Sequence, residues 1–386
     1  MAKKRLRVGV LFGGRSAEHE VSIVSARSVM EALDKKKYEV VPIAITKQGQ
    51  WIAGPNVVKL LESGAKIPPA LARTLPPDPT VRSLVALEES RGVGPGRHHI
   101  LDSKQQVLDV IIPILHGTYG EDGTVQGLLE LSGIPYVGAG VLGSALGMDK
   151  IAQKLVYRAV GVPTPEFVYF TATEFKADRN SILRRIMKLG LPLFVKPANL
   201  GSSIGIAKVK QGSELVPAIV DAIRYDQRIL VEKAVRQALE IEVAVLGNHE
   251  PKASVCGQIK ASNEFYDYNA KYVDGKSQAI IPAPLPQRLS KEIRVYAVKA
   301  FQALDLAGMA RADFLVNAKS KQAYLSEVNT IPGFTSISMF PKLWEASGLP
   351  YPRLLDELIS LALERQAERS KLATSFTTRS SWYRSS

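Results

Sequence analysis

The sequence predicts an α/β protein of more than one domain, and three observations carry that expectation. The first 140 residues alternate short apolar runs with amphipathic stretches, the pattern of a parallel sheet flanked by helices. The chain is 386 residues long, enough for two or three cores of ordinary size. Its 46% hydrophobic and 23% charged content is that of a soluble globular protein.

Residues 6–12 read as the first buried strand, and Gly13-Gly14 turns the chain. Residues 17–33 carry Val21, Val24, Val29 and Ala32 close to helical spacing. Residues 38–45 form the next strand. Residues 60–100 are irregular: Pro68, Pro69, Pro76, Pro77, Pro79 and the glycines near 92–96 suit either a loop with short strands or an insertion. Residues 107–115 read as one buried strand and 123–131 as a helix. A second unit begins near Ser144, with a helix over 150–159 and strands over 193–196, 206–209, 229–233 and 240–246. A helix over 353–365 closes the packed part, and a basic tail follows that frays.

The formal net charge of +13 raises nucleic acid as a partner. That charge is scattered, however, and no aromatic residues interleave with it as a stacking platform, so no nucleic acid is expected. An anionic small molecule such as a nucleotide accounts for basic residues equally well. The single cysteine, Cys256, forms no internal disulfide, which points to a reducing compartment. The apolar run near the N-terminus is too short to span a membrane and no cleavage site follows it, so a cytoplasmic protein with no membrane partner is expected.

Several stretches carry chemistry. PANLGSSIG, residues 197–205, lies between two strands and offers backbone N–H groups and hydroxyls that can wrap a polyphosphate. It has neither the Gly-Lys-Ser/Thr of a Walker loop nor GxGxxG spacing. Lys196 precedes it at the end of an apolar strand, where an ammonium must snorkel or find an anion, and Lys150 opens a helix after GMD. MARADFLVNAKSKQAYLSEVN, residues 309–329, reads as two strands around a turn at Ser320. Antiparallel pairing about a symmetric turn sets Asp313 opposite Glu327 and Arg311 opposite Asn329, all on one face. Opposed carboxylates repel unless a cation sits between them, and Mg²⁺ with nucleotide phosphates answers that need. A slip of one residue would separate the pairs. Glu18 starts the first helix, where it suits either a ligand or the helix dipole. His116 follows VIIPIL at a strand's C-terminal end, where ligands bind in open α/β sheets, or serves as a bonded turn histidine. EFYDYNAKY, residues 264–272, suits a lid or a polar surface loop.

Together LFGGRSAEHEVS, LHGTYGEDGTVQG, GMDK, FVKPANLGSSIG, EFYDYNAKY, RADF and EVNTIPGFTS resemble, in order, the motifs of the D-alanine–D-alanine ligases of the ATP-grasp superfamily. The resemblance runs from about residue 6 to about residue 360. It implies a three-domain ATP-grasp ligase with an N-terminal Rossmann-like parallel sheet: a substrate domain over 1–143, a central ATP-grasp subdomain over 144–228, a C-terminal subdomain with metal and substrate sites over 229–366, and a tail over 367–386. In such enzymes ATP phosphorylates the carboxylate of a first D-alanine, and the amine of a second attacks the acyl phosphate. ADP, phosphate and D-alanyl-D-alanine, a peptidoglycan precursor, leave.

Carried over by motif, Glu18 binds the ammonium of the first D-alanine, with Ser202 and Tyr272 in the same cluster. His116 lies near that substrate's carboxylate. Lys150 and Lys196 contact the ATP phosphates, and Ser203 covers them. Glu232 meets the adenine, Glu240 the ribose and Lys271 the transferred phosphate. Asp313, Glu327 and Asn329 hold two Mg²⁺ ions, for which Mn²⁺ substitutes. Arg311 and the N–H of Gly333 stabilise the tetrahedral intermediate, and Ser338 takes the second substrate's carboxylate. The resemblance also implies a homodimer. Ligases that use D-lactate or D-serine as acceptor are the alternative in the same family, and YDYNAKY is the stretch that argues for the dipeptide-forming kind. A nucleotide-binding regulator would not need Arg311, Asp313, Glu327 and Asn329 together. A dinucleotide dehydrogenase would need the spacing that GGRSAE lacks.

Overall fold

The computed structural model describes residues 4–89, 98–260, 278–335 and 337–374. Four sheets form among them. In the first, Leu6–Gly13 lies between Tyr38–Ile45 and Val110–Ile114, parallel to both, with Trp51–Ala53 as an antiparallel edge. Val8, Val10, Leu11 and Phe12 are all fully buried, as expected of a parallel strand covered on both faces. The helix His19–Ala32 contributes Ile23, Ala26 and Val29 to that cover.

The strand expected over 107–115 is divided. His98–Val107 pairs elsewhere, and the parallel strand begins at Val110. Asp109 marks the break: its carboxylate accepts the backbone N–H of Arg7 at 2.7 Å and pairs with the Arg7 guanidinium at 3.3 Å. Counting apolar residues merges the two strands because the interruption is made by one polar residue. The proline-rich region resolves into a helix, Val57–Ser63, and strands Arg73–Thr74 and Ser83–Glu89, which join His98–Val107 in an antiparallel sheet.

The third sheet runs Ala207–Val209, Leu193–Pro197, Arg228–Lys233, Phe167–Thr171, antiparallel throughout. Phe167–Thr171 gives no separate signal in the sequence, since its short run passes directly into the helix that follows. The helices Ala172–Ala177 and Arg179–Met187 join Gly212–Ile223 in packing Phe175, Ile182, Ile186 and Ile219 on the sheet. The fourth sheet runs Gln278–Ile280, Gly257–Lys260, Ala238–Gly247, Gly308–Asn317, Ala323–Asn329, with Lys252–Ala253 beside the central strand. Ile293, Ala297 and Ala300 of the helix Gln287–Ala303, not among the elements expected above, are buried in its core.

One hydrophobic core joins the two ends of the chain. Val8, Val10 and Ile112 of the first sheet belong to the same cluster as Phe334, Phe340, Leu354 and Leu358. The last helix, Tyr351–Arg369, is longer at both ends than the 353–365 expected. Its extension is anchored by Arg365, which donates to the Tyr136 carbonyl at 3.2 Å and lies 4.5 Å from the Tyr136 ring centre, and by an Arg369–Glu130 ion pair. Among the described residues no helix is long and apolar enough to cross a membrane. Leu358 is 1% exposed within the shared core. Leu358→Ala should therefore lower stability by about 2–5 kcal/mol, read as a fall in the urea midpoint; a change inside experimental scatter would show that the two ends are not held by this core.

Candidate active site

The strand pair Gly308–Asn317 and Ala323–Asn329 sets the geometry. Asp313 does stand opposite Glu327, and Arg311 opposite Asn329. The symmetric turn assumed for this is not the reason. Near the turn Val316 opposes Ala323, and the register shifts beyond Phe314, which opposes Leu325. Ser326 is the extra residue of a β-bulge, and it brings Glu327 level with Asp313. The neighbouring strand Ala238–Gly247 places Glu242 on the other side of Asp313. Three carboxylates thus lie in one row across three strands.

Each has a cation beside it. The Arg311 guanidinium donates to both oxygens of Asp313 at 2.7 Å and lies 3.1 Å from Glu242. Lys150 is 3.4 Å from Glu327 and donates to the Leu200 carbonyl at 2.8 Å. Asn329 donates from its amide nitrogen to Asp313 at 2.8 Å. Among the described residues no group of three or more His, Cys, Asp and Glu is arranged as a metal cage. The set Asp313, Glu327 and Asn329 nonetheless fits Mg²⁺ by its chemistry, being two carboxylates and an amide oxygen, and Mg²⁺ takes its remaining ligands from water and phosphate.

A second group forms where the first sheet meets the glycine-rich loop. Ser202 donates a hydrogen bond to Glu18, and both side chains are buried. Gly201 permits this approach, because a Cβ there would lie 2.6 Å from the Glu18 carboxylate. Ser202 and Ser203 are both left-handed, with φ of 49° and 59°, a conformation that residues other than glycine adopt rarely. His116 is buried, its Nδ1 3.0 Å from the Ile331 carbonyl and its Nε2 3.3 Å from Ser25 Oγ. Burial pulls its pKa below the usual value, the Glu18 carboxylate opposing. The neutral ring then donates from Nδ1 to the carbonyl and accepts at Nε2 from the serine. At the far wall, a Cβ on Gly333 would lie 3.0 Å from Ser338 Oγ. Ser338 in turn accepts the Thr335 N–H at 3.1 Å and opens the helix Met339–Ala346.

On the other side of the carboxylate row, Glu232 sits between two ammoniums. Lys154 lies 2.7 Å from one oxygen and Lys196 pairs with the other. Burial alone would raise the Glu232 pKa, but the two ammoniums outweigh it and hold it at about 2. Lys196 is shifted upward, since Glu232 and Glu327 outweigh the opposing effect of burial.

The two groups line adjoining cavities. One, of about 720 Å³, has Glu18, His116, Lys150, Ser202, Asn329, Gly333 and Ser338 in its wall. The other, of about 560 Å³, has Lys196, Glu232, Glu240 and Asp313. Ser203, Arg311 and Glu327 line both. All sixteen expected site residues except Lys271 and Tyr272 are therefore at one double cavity; those two, with the rest of the 264–272 loop, lie outside the described residues.

Sequence reasoning missed Glu121, Glu242 and Lys154. Glu121 accepts the N–H of Gly117 at 2.7 Å and that of Ile331 at 3.1 Å, tying the HGTYGEDG loop to the TIPG loop. Its place inside a quoted motif was the available signal. Glu242 shares a strand face with Glu240 two residues away, which alternation could have flagged. Lys154 follows Lys150 by one helical turn, a spacing equally common on a solvated face.

Comparisons with known proteins bear on this arrangement. Residues 7–139 match the family described as D-ala D-ala ligase N-terminus, and residues 156–360 the one described as D-ala D-ala ligase C-terminus. The chain is similar to a D-alanine–D-alanine ligase of Natranaerobius thermophilus, with 48% identity over 97% of this chain and 99% of the relative. Among solved structures it is similar to the D-alanine-D-alanine ligase from Coxiella burnetii, with TM-score 0.78 and 36% identity, covering 96% of this chain and 97% of that one. It is also similar to VanG D-Ala:D-Ser ligase from Enterococcus faecalis, with TM-score 0.79 and 33% identity, covering 93% and 100%.

Glu121 supplies a pH test of the geometry. Burial, then the Glu18 carboxylate, push its pKa up to about 8 from 4.5. Between those values the folded state holds a proton that the unfolded state has released, so stability should fall as pH rises from about 5 to about 8. Urea midpoints across that range should show a downward slope that Glu121→Gln largely removes. An unchanged slope in the variant would assign it to other groups.

Proposed function

The chain belongs to the D-alanine–D-alanine ligase family, and from that premise we propose that the larger cavity receives the amino acids and the smaller one the nucleotide. The protein is an ATP-dependent, ADP-forming carboxylate–amine ligase that joins two D-alanines through a D-alanyl phosphate, in peptidoglycan precursor synthesis. Its family implies use of ATP and a divalent metal; two Mg²⁺ ions, with Mn²⁺ as substitute, are the proposed complement. The observation that carries the assignment of cavities is their shared wall at Ser203, Arg311 and Glu327, where a group passed from one ligand to the other would travel.

A carboxylate is a poor electrophile, and phosphorylation gives it a leaving group. The protein's task is to hold two substrates in line and to answer the charge that develops. Glu18, held by Ser202, takes the ammonium of the first D-alanine; Tyr272 is assigned to the same cluster by the family motif alone. Neutral His116 lies by that substrate's carboxylate. Lys196 and Ser203 in the smaller cavity and Lys150 in the larger one contact the phosphates, with Lys271 assigned to them by motif alone; Glu232 takes the adenine and Glu240 the ribose. Asp313, Glu327 and Asn329 would hold the metal, which offsets charge on the transferring phosphoryl group. Once the acyl phosphate forms, Arg311 and the Gly333 N–H stabilise the tetrahedral oxyanion as the second amine attacks, and Ser338 takes the acceptor's carboxylate. A side chain at position 333 would crowd Ser338, 3.0 Å from where its Cβ would stand, which is why glycine suits that wall.

The proposed division of the chain is 1–143 for substrate, 144–228 and 229–366 closing on ATP, and 367–386 as a tail. A cytoplasmic homodimer is proposed, its location following from the ATP consumed and the unpaired thiol of Cys256. The likeness to a D-Ala:D-Ser ligase makes D-serine, with D-lactate, the second reading of the acceptor.

Phosphate release from ATP and Mg²⁺ should occur with D-alanine and not L-alanine, and mass analysis should show the dipeptide even when D-lactate or D-serine competes. A depsipeptide or a mixed dipeptide as main product would move the acceptor while keeping the mechanism. Asp313→Asn should lose at least about 100-fold in turnover and require more Mg²⁺; wild-type activity at limiting Mg²⁺ would remove Asp313 from the metal site. Tyr272→Phe should leave ATP binding nearly intact while shifting preference toward hydroxy acids, and an unchanged D-alanine to D-lactate ratio would count against the hydroxyl network.

A further inference from the structure

Lys154 has no part in the site as assigned, yet it is among the most completely buried side chains of the protein, 1% exposed. Its ammonium has three N–H donors and three acceptors around it. These are Glu232 at 2.7 Å, Thr164 Oγ1 at 3.0 Å and the Ser326 carbonyl at 3.3 Å. It is buried and lines neither cavity, so its influence passes through those partners. Two of them matter for the nucleotide cavity: Glu232 lines it, and Ser326 is the bulge residue that sets Glu327 opposite Asp313.

Charge decides what Lys154 does. Glu232 bridges Lys154 and Lys196, so two ammoniums share one carboxylate and the triad keeps one net positive charge. Without Lys154, both oxygens of Glu232 would turn to Lys196 alone, and the pair would be neutral. A buried neutral pair has little attraction left for a phosphate. Among the described residues, Glu240 and Glu327 are acids that also act on the triad, and Glu327 has Lys150 at 3.4 Å.

We propose that Lys154 is a positioning residue of the nucleotide site, whose buried ammonium occupies one oxygen of Glu232 and so leaves Lys196 its charge for the phosphates of ATP. The proposal rests on the assignment of Lys196 to those phosphates. It differs from a purely structural role in one respect: the loss should fall on phosphate-bearing ligands and spare the nucleoside.

The test is the affinity of the full-length protein for ATP and for adenosine, in Lys154→Gln, Lys196→Met and the double variant Lys154→Gln with Glu232→Gln. Glutamine keeps an amide donor for the Ser326 carbonyl while removing the charge. Lys154→Gln should weaken ATP by about tenfold and leave adenosine within about twofold. The double variant restores one net positive charge and should recover most of the ATP-to-adenosine ratio. It also leaves no unpaired carboxylate behind, and so serves if the single variant does not fold. Equal weakening of ATP and adenosine by Lys154→Gln, or no recovery of the ratio in the double variant, overturns the proposal. If Lys196→Met weakens ATP selectively and Lys154→Gln does not, the proposal falls and the assignment of Lys196 stands. If Lys196→Met leaves ATP unchanged, both fall together.

Discussion

Like charges brought together in a protein interior must each be answered, and the arrangement of this molecule follows from one row of them. Glu242, Asp313 and Glu327 stand level across three adjacent strands. Unanswered, such a row would drive at least one carboxylate to take a proton or would open the sheet. Arg311 serves two of the three and Lys150 the third. Arg311 is on the same strand as Asp313, whereas Lys150 comes from a helix that begins more than 150 residues earlier. Binding that helix to this sheet is therefore part of neutralising the row.

The same logic extends outward. Lys150 also reaches the Leu200 carbonyl, which fixes one end of the glycine-rich loop. Asn199 fixes it again through Asp226, to which its side-chain amide donates at 3.1 Å and its backbone N–H at 2.8 Å. From that loop Ser202 crosses to Glu18 on the first sheet. His116 and Glu121 hold the carbonyl and the N–H of Ile331, respectively. Segments separated by hundreds of residues thus meet at one cleft through polar contacts, while the shared core of the first sheet and the last helices sets the distance between them. The wall of the smaller cavity, proposed for the nucleotide, is answered separately, by Glu232 between Lys154 and Lys196.

Two consequences follow for chemistry in such a cleft. Its cations are paired with carboxylates, so on the proposed assignment an incoming phosphate would compete with groups already in place and would bring a metal's charge with it. Its backbone comes close to functional side chains where glycine allows it, Gly201 beside Glu18 and Gly333 beside Ser338. Electrostatic stabilisation of this kind is effective because the groups are already oriented and little reorganisation is needed.

Much of this was legible in the sequence, and the physical reason is that some features are local. The first strands show as apolar runs, the Ser202 loop as glycines and serines between two strands, and the facing of Asp313 and Glu327 as alternation on two strands joined by one turn. Where the pattern is short or interrupted, local reading fails: Asp109 divides one apolar run into two strands, and Phe167–Thr171 escapes notice. The bulge at Ser326 is the sharper case. In the sequence the pairing follows from a symmetric turn about Ser320, and the structure reaches it through a turn centred half a residue earlier plus an extra residue, an outcome no count of residues distinguishes. Alone, the sequence determined the α/β class, the family and which residue types stand at each loop. Only the tertiary structure decided that Glu242 joins the row, that Lys154 turns inward to Glu232, and that Glu121 spans two loops, because each depends on a partner set by packing between elements far apart in the chain.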